Sequence, residues 1–182
     1  WIYWIAFSML GGLVGQLTSG NLDITQIKIC AAISGYNAVG GLVGMAEGDI
    51  TVSDINTPDY NFSVSGHNNV GGVAGHTKGV VSISGVTLEH KVTNEDSDIR
   101  IIEGSGSGVG AMIGWADCSG VTLENVRVLC PVGGTGASRV GGLVGYVFSD
   151  KVSVDNCRVY SVVAGKDDVG GLFGYVYNNY GC

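Results

Sequence analysis

The stretch Val39-Gly40-Gly41-Leu42-Val43-Gly44 decides the fold, because the chain writes it six times. The copies are Leu10–Gly15, Val39–Gly44, Val70–Gly75, Val109–Gly114, Val140–Gly145 and Val169–Gly174, at successive offsets of 29, 31, 39, 31 and 29 residues. Self-similarity at a period of about 20–50 residues marks a stacked array of one small structural unit. The repeat runs from end to end without a linker-like break, so residues 1–182 read as a single domain of about six coils. The sequence opens on Trp1 and stops at Cys182 inside the sixth repeat, so it is expected to be part of a longer chain, with any targeting signal upstream. The apolar run Trp1–Met9 is too short to span a bilayer and is expected to supply the strand before the first phrase.

About twelve residues after each glycine phrase, apolar and polar residues alternate, and a period of two means strand. Aligned on the phrase, one inward column reads Leu22, Ile50, Val81, Val121 and Val152, and the next reads Ile24, Val52, Ile83, Leu123 and Val154. A third reads Ile27, Ile55, Val86, Val126 and Cys157. The excess of β-branched residues favours strand, and no segment carries a sustained 3.6-residue period. Asn61–Gly66 and Ser161–Gly165 give another short run before the next phrase. The expectation is an all-β chain: a right-handed parallel β-helix of about 30 residues per coil, with roughly three short strands in each. A lone coil cannot offset the cost of ordering its backbone until neighbours cover both of its faces.

The paired glycines Gly40, Gly41, Gly71, Gly72, Gly141, Gly142, Gly170 and Gly171 fit a structural corner. Either a positive φ or a close approach between backbones would require them there. The long third repeat is expected to hold its surplus between about Glu89 and Gly108 as an excursion, with Gly104–Gly108 returning the chain to the coil. On the outward side of the second strand, Glu124 precedes Asp155 by one coil and Arg127 precedes Arg158. Like charges stacked in this way are expected to pair with the opposite sign across the face.

With 9 Lys and Arg against 16 Asp and Glu, the net charge is −7, which leaves no basic stripe for nucleic acid or for an anionic membrane surface. A 45% hydrophobic content argues against disorder. Motifs for chemistry are sparse. Asp49, Asp54 and Asp59 fall in one coil, Asp150 and Asp155 in another, and Asp167 and Asp168 in a turn. None of this is the fixed pair that acid–base hydrolysis of glycans needs. His67, His76 and His90 stand at different phases of the repeat, so a zinc site is not expected. Cys30, Cys118, Cys130, Cys157 and Cys182 form no C-x-x-C, and their odd number leaves a thiol free. Phosphate-loop and calcium-repeat phrases are absent. The column Thr25, Ser53, Ser84, Glu124, Asp155 lacks the ranked threonines of an ice-binding face. No cofactor and no metal are expected.

One surface stands out. If Leu42 and its equivalents point inward, alternation turns Val14, Val43, Ala74, Ile113, Val144 and Phe173 outward, with Gln16, Met45, His76, Trp115, Tyr146 and Tyr175 two residues later. Such an apolar, aromatic stripe suits packing against an adjacent domain or another copy of the chain, or stacking of sugars.

The phrases Val39–Gly44, Val140–Gly145 and Val169–Gly174, with the V-x-V-x-N-x-x-V pattern between them, resemble the GLUG-motif repeats over nearly the whole chain. Ala111 and Met112 in the fourth phrase, and Val73 and Ala74 in the third, depart from the pattern. The resemblance implies a secreted or cell-surface microbial protein, as in adhesin-like proteins and the non-catalytic parts of some immunoglobulin A metallopeptidases. It carries no peptidase activity here, because the chain has no H-E-x-x-H. The function expected is therefore a non-enzymatic structural or adhesive segment whose partners are copies of itself, adjacent domains, or host and matrix glycans or proteins. The alternatives are a filament subunit and a carbohydrate-binding or carbohydrate-active β-helix.

Overall fold

Leu10, Val39, Val70, Val109, Val140 and Val169 stand in one unbroken column, each paired in parallel with its counterpart one repeat away. The computed structural model describes residues 3–29, 31–57, 62–89 and 101–177, with backbone alone for 3–7. Over these residues every regular element is a strand, and the parallel sheets wind into a β-solenoid of about five turns with about 31 residues per coil. The first two inward columns predicted from alternation are the observed register, from Leu22 through Val152 and from Ile24 through Val154. Ile55, Val86 and Val126 of the third are buried, and Ile27 and Cys157 pack against the same core.

The strands form sheets of ten, six, five and four members. In the ten-strand sheet, Tyr3–Gly11 pairs along its whole length with Ala32–Gly40. Later coils break this long strand in two, as in Ser63–Gly66 and Asn68–Gly71. The six-strand sheet holds Val43–Ala46 and its equivalents, the five-strand sheet Asp49–Ser53 and its own, and the four-strand sheet Thr87–Glu89 and its own. A coil is thus cut more finely than the three alternating runs in the sequence, into five short strands from Ser63 to Glu89.

Two columns of left-handed residues supply bends. Met9, Ala38, Asn69, Gly108, Arg139 and Asp168 precede the first residue of each phrase, with φ between 50° and 77°. Gln26, Asp54, Gly85, Asn125 and Asn156 follow the five-strand sheet, with φ between 47° and 61°. Asn, Asp and Gly tolerate this conformation best, because a short polar side chain bonds locally and glycine has no Cβ. The paired glycines are not part of either column. Their φ angles are not positive, so close approach is what requires them. A Cβ at Gly40 would lie 1.9 Å from the Val43 carbonyl of its own coil, and one at Gly41 would lie 1.9 Å from the Gly72 carbonyl of the next. The same collisions recur at Gly71, Gly72, Gly141, Gly142 and Gly170, whereas Gly171 has nothing within 4 Å.

Three expectations need correction. Ile113 and Val144 are not exposed: both are fully buried, as are Val43 and Ala74, and Phe173 packs on the core. They share the face of Met45 and Trp115, but at the corner, where one strand ends at Gly40 and the next begins at Val43, the neighbouring wall covers that face. There the two walls press together so closely that a Cβ at Gly75 would sit 2.5 Å from Val39 N. The acid–arginine pairs do not form either; among the described residues the ion pairs are Lys78–Glu47 at 3.2 Å and Lys166–Asp167 at 3.7 Å. Nor does the excursion reach Gly108. Ile102–Gly104 and Ser107–Gly110 are wall strands in register with their neighbours.

Candidate functional site

Away from the corner, the outward face of the six-strand sheet opens step by step. Ile113 is buried, Trp115 half-buried and Asp117 exposed, and the same order holds at Val43, Met45 and Glu47. Parallel register stacks like on like, so Met45, His76, Trp115, Tyr146 and Tyr175 fall in one column. Its last three rings form a continuous ladder. Trp115 and Tyr146 have centroids 3.8 Å apart at 25°, and Tyr146 and Tyr175 are 5.5 Å apart at 10°. Beside it, Phe148 stacks on Tyr177 at 5.4 Å.

Arg139, the left-handed residue before the fifth phrase, lays its guanidinium 5.4, 5.2 and 5.4 Å from the centroids of Trp115, Tyr146 and Tyr175. One cation thus lies within cation–π range of three rings. One coil earlier the same position is Gly108, where a Cβ would lie 3.2 Å from Trp115 Cε3. The column keeps the indole uncrowded on one side and capped by charge on the other. Sequence reasoning found the three aromatic residues but missed Arg139; its signal was its fixed place before each V-G-G.

The ladder's chemistry follows from its geometry. Ring faces already engaged with each other along the axis are not offered to a sugar, so the ladder presents edges and hydroxyls to solvent. A shallow notch of about 220 Å³ lies among Trp115, Asp117, Tyr146 and Phe148. Burial pushes the Tyr146 hydroxyl up from its usual range. At the upstream end, burial with Lys78 nearby holds the His76 imidazole below its ordinary value, and His76 Nε2 is buried without a hydrogen-bond partner.

The remaining candidates stay apart. His67 lies at the break between Ser63–Gly66 and Asn68–Gly71 and His76 in the six-strand sheet, while His90 falls outside the described residues. Among the described residues, no three His, Cys, Asp or Glu side chains converge as metal ligands. Cys118, Cys130 and Cys157 are free thiols, and burial pushes Cys130 up to about 12; Cys30 and Cys182 lie outside the described residues. No described helix is long and apolar enough to cross a membrane.

A second feature escaped the sequence reading. Tyr36 and His67 stack at 4.9 Å, and His67 Nδ1 lies 2.8 Å from Ser105 Oγ, at the mouth of an open notch of about 330 Å³. Tyr36 and His67 are one coil length apart, which was the available signal. Comparison with known proteins gives no match to a family model, to a curated protein or to a solved structure.

Proposed function

We propose that this chain is a non-enzymatic structural and adhesive segment of an extracellular or cell-surface protein, built of GLUG-like coils, whose aromatic ladder makes lateral contact with an adjacent domain or a second copy. The observation that carries this reading is that the polar side chains bond mainly from coil to coil. Ser53 Oγ donates to Thr25 Oγ1, Asn68 Nδ2 to Asn37 Oδ1, Lys78 Nζ to Glu47 Oε1, Asn156 Nδ2 to Asn125 Oδ1 and Ser138 Oγ to Asp167 Oδ2. Side chains engaged in this way serve cohesion along an axis, which suits a stalk or spacer. The exposed edges of Tyr175 and Tyr177 extend the ladder to the last described coil. Aromatic residues capped by an arginine are the composition of interface anchors.

Sedimentation velocity over a concentration series tests the reading. Wild-type protein should associate in the micromolar range, and the triple variant Trp115→Ser, Tyr146→Ser, Tyr175→Ser should stay monomeric with its β-sheet circular dichroism intact. Unchanged association in the triple variant would remove the ladder from the interface. Hydrolysis of a glycan by the wild-type protein would overturn the non-enzymatic reading.

A further inference from the structure

We infer that the crease at Tyr36, His67 and Glu103 is a binding site for a neutral saccharide, separate from the aromatic ladder and standing or falling without it. The crease lies where the long strand of the ten-strand sheet breaks. Its two banks are set by register: Ser34, Ser65 and Glu103 stand opposite one another on three successive coils, and two residues later come Tyr36, His67 and Ser105. Between the banks the chain carries glycine, paired between coils at Gly66 and Gly104. The absence of a side chain is enforced from inside. A Cβ at Gly66 would lie 2.9 Å from Val39 Cγ2 and from Val70 Cγ2, and one at Gly104 would lie 2.3 Å from Val109 Cγ2. The backbone therefore sinks toward the core along this line, and the outer side chains on either bank face a common trough of about 330 Å³.

What fills such a trough follows from its lining. Ser34, Glu103, Ser105 and Tyr36 are exposed, Tyr36 by 53% of its surface. The banks present hydroxyls that donate and accept, a carboxylate that only accepts, and an aromatic pair. Glu103 is the one formal charge among the lining residues, and the chain carries −7 overall, so phosphate, sulfate, uronate and acidic peptides are repelled. A purely apolar ligand would strip water from the serines and from Glu103 without replacing their hydrogen bonds. A cation would find one carboxylate and no converging set of three ligands among the described residues. A neutral pyranose satisfies both kinds of bank, with vicinal hydroxyls for Glu103 and the serines and C–H groups against the exposed ring edges of the Tyr36–His67 pair. His67 Nδ1 is held by Ser105, which fixes the ring's orientation and leaves Nε2 for the ligand. The trough is open, so a single site binds weakly and gains strength when an array of chains meets a polymeric glycan.

The test is a glycan array of neutral hexose and N-acetylhexosamine oligosaccharides, with uronate and sulfated oligosaccharides as the comparison. The strongest neutral probe is then titrated by NMR into the wild type, Tyr36→Ala, Glu103→Gln and the ladder variant Tyr146→Ser. Neutral probes should bind in preference to acidic ones. Tyr36→Ala should weaken binding at least tenfold, Glu103→Gln several-fold, and Tyr146→Ser less than twofold. Glu103 and Tyr36 are exposed, so melting midpoints should stay near wild type; if Tyr36→Ala unfolds, Glu103→Gln alone decides. No neutral probe bound at millimolar concentration, a preference for acidic probes, or loss of binding in Tyr146→Ser but not in the crease variants would each overturn the assignment. The last outcome would move recognition to the ladder, whereas failure of self-association would leave the crease untouched.

Discussion

Asn156 donates from Nδ2 to Oδ1 of Asn125 across 2.6 Å, one coil apart, and both residues are left-handed, with φ of 47° and 54°. The column runs on through Gly85 and Asp54. Asparagine is suited here twice, once by tolerance of the backbone and once by an amide that both donates and accepts along the axis. Asn125→Ala should lose about 1–2 kcal/mol in urea unfolding, from left-handed strain plus the lost side-chain hydrogen bonds with Asn156 and Glu124. Asn125→Gly should lose less, because only the hydrogen bonds go. Equal losses in the two variants would show that the conformation is not what selects asparagine.

Gly41→Val and Gly142→Val should destabilise the whole solenoid by several kcal/mol, or prevent folding, because the new side chains would occupy space held by the next coil's backbone. Gly120→Val, where the nearest atom is Val80 Cγ1 at 3.8 Å, is the internal control and should cost far less. A thermal melt showing less than about 0.5 kcal/mol for Gly41→Val would remove the close-approach argument.

His76 should make the fold acid-sensitive. Burial lowers its pKa from 6.5, with Lys78 acting in the same direction and Asp117 and Glu47 opposing. A group depressed in the folded state binds more protons when unfolded, so stability is full above about pH 6.5 and falls as the pH drops toward the lowered folded value. Urea midpoints measured from pH 8 to pH 5 should decline through this window, and His76→Gln should flatten the decline there. An unchanged slope in the variant would assign the sensitivity to other groups.

Removing residues 91–100 should leave the coil intact. Glu89 pairs with Leu129 and Ile102 with Val132, so twelve residues separate the two strands in one coil where two suffice in the next. The deletion makes His90 and Ile101 the counterparts of Cys130 and Pro131. The expected change in stability is within about 1 kcal/mol, read by denaturant unfolding. Loss of cooperative unfolding would show that the segment does more than bridge.

The valine and isoleucine columns were legible because parallel register copies each residue's environment from coil to coil, so Val81 and Val121 had to share a face. Trp115, Tyr146 and Tyr175 were legible for the same reason. Burial at Ile113 and Val144 was not, because it depends on how the chain turns between Gly110 and Ile113, where the neighbouring wall covers their face. The crease was hidden because its parts, Tyr36 and Glu103, belong to different coils and to opposite banks of a bend. Its cause lies in the clash a Cβ at Gly66 would make inside. Arg127 and Arg158 show the limit of charge patterning: proximity along a column did not bring a counter-charge within reach.

The near-constant coil length has a kinetic consequence. Adding a coil means closing a loop of about 31 residues onto a template already formed, so the entropy of closure is nearly the same at every step, and growth is a repeated event rather than a global search. The 39-residue repeat raises that closure term by only about 0.2 kcal/mol. Once the first pair of coils has formed, winding should propagate past the insertion with almost no pause.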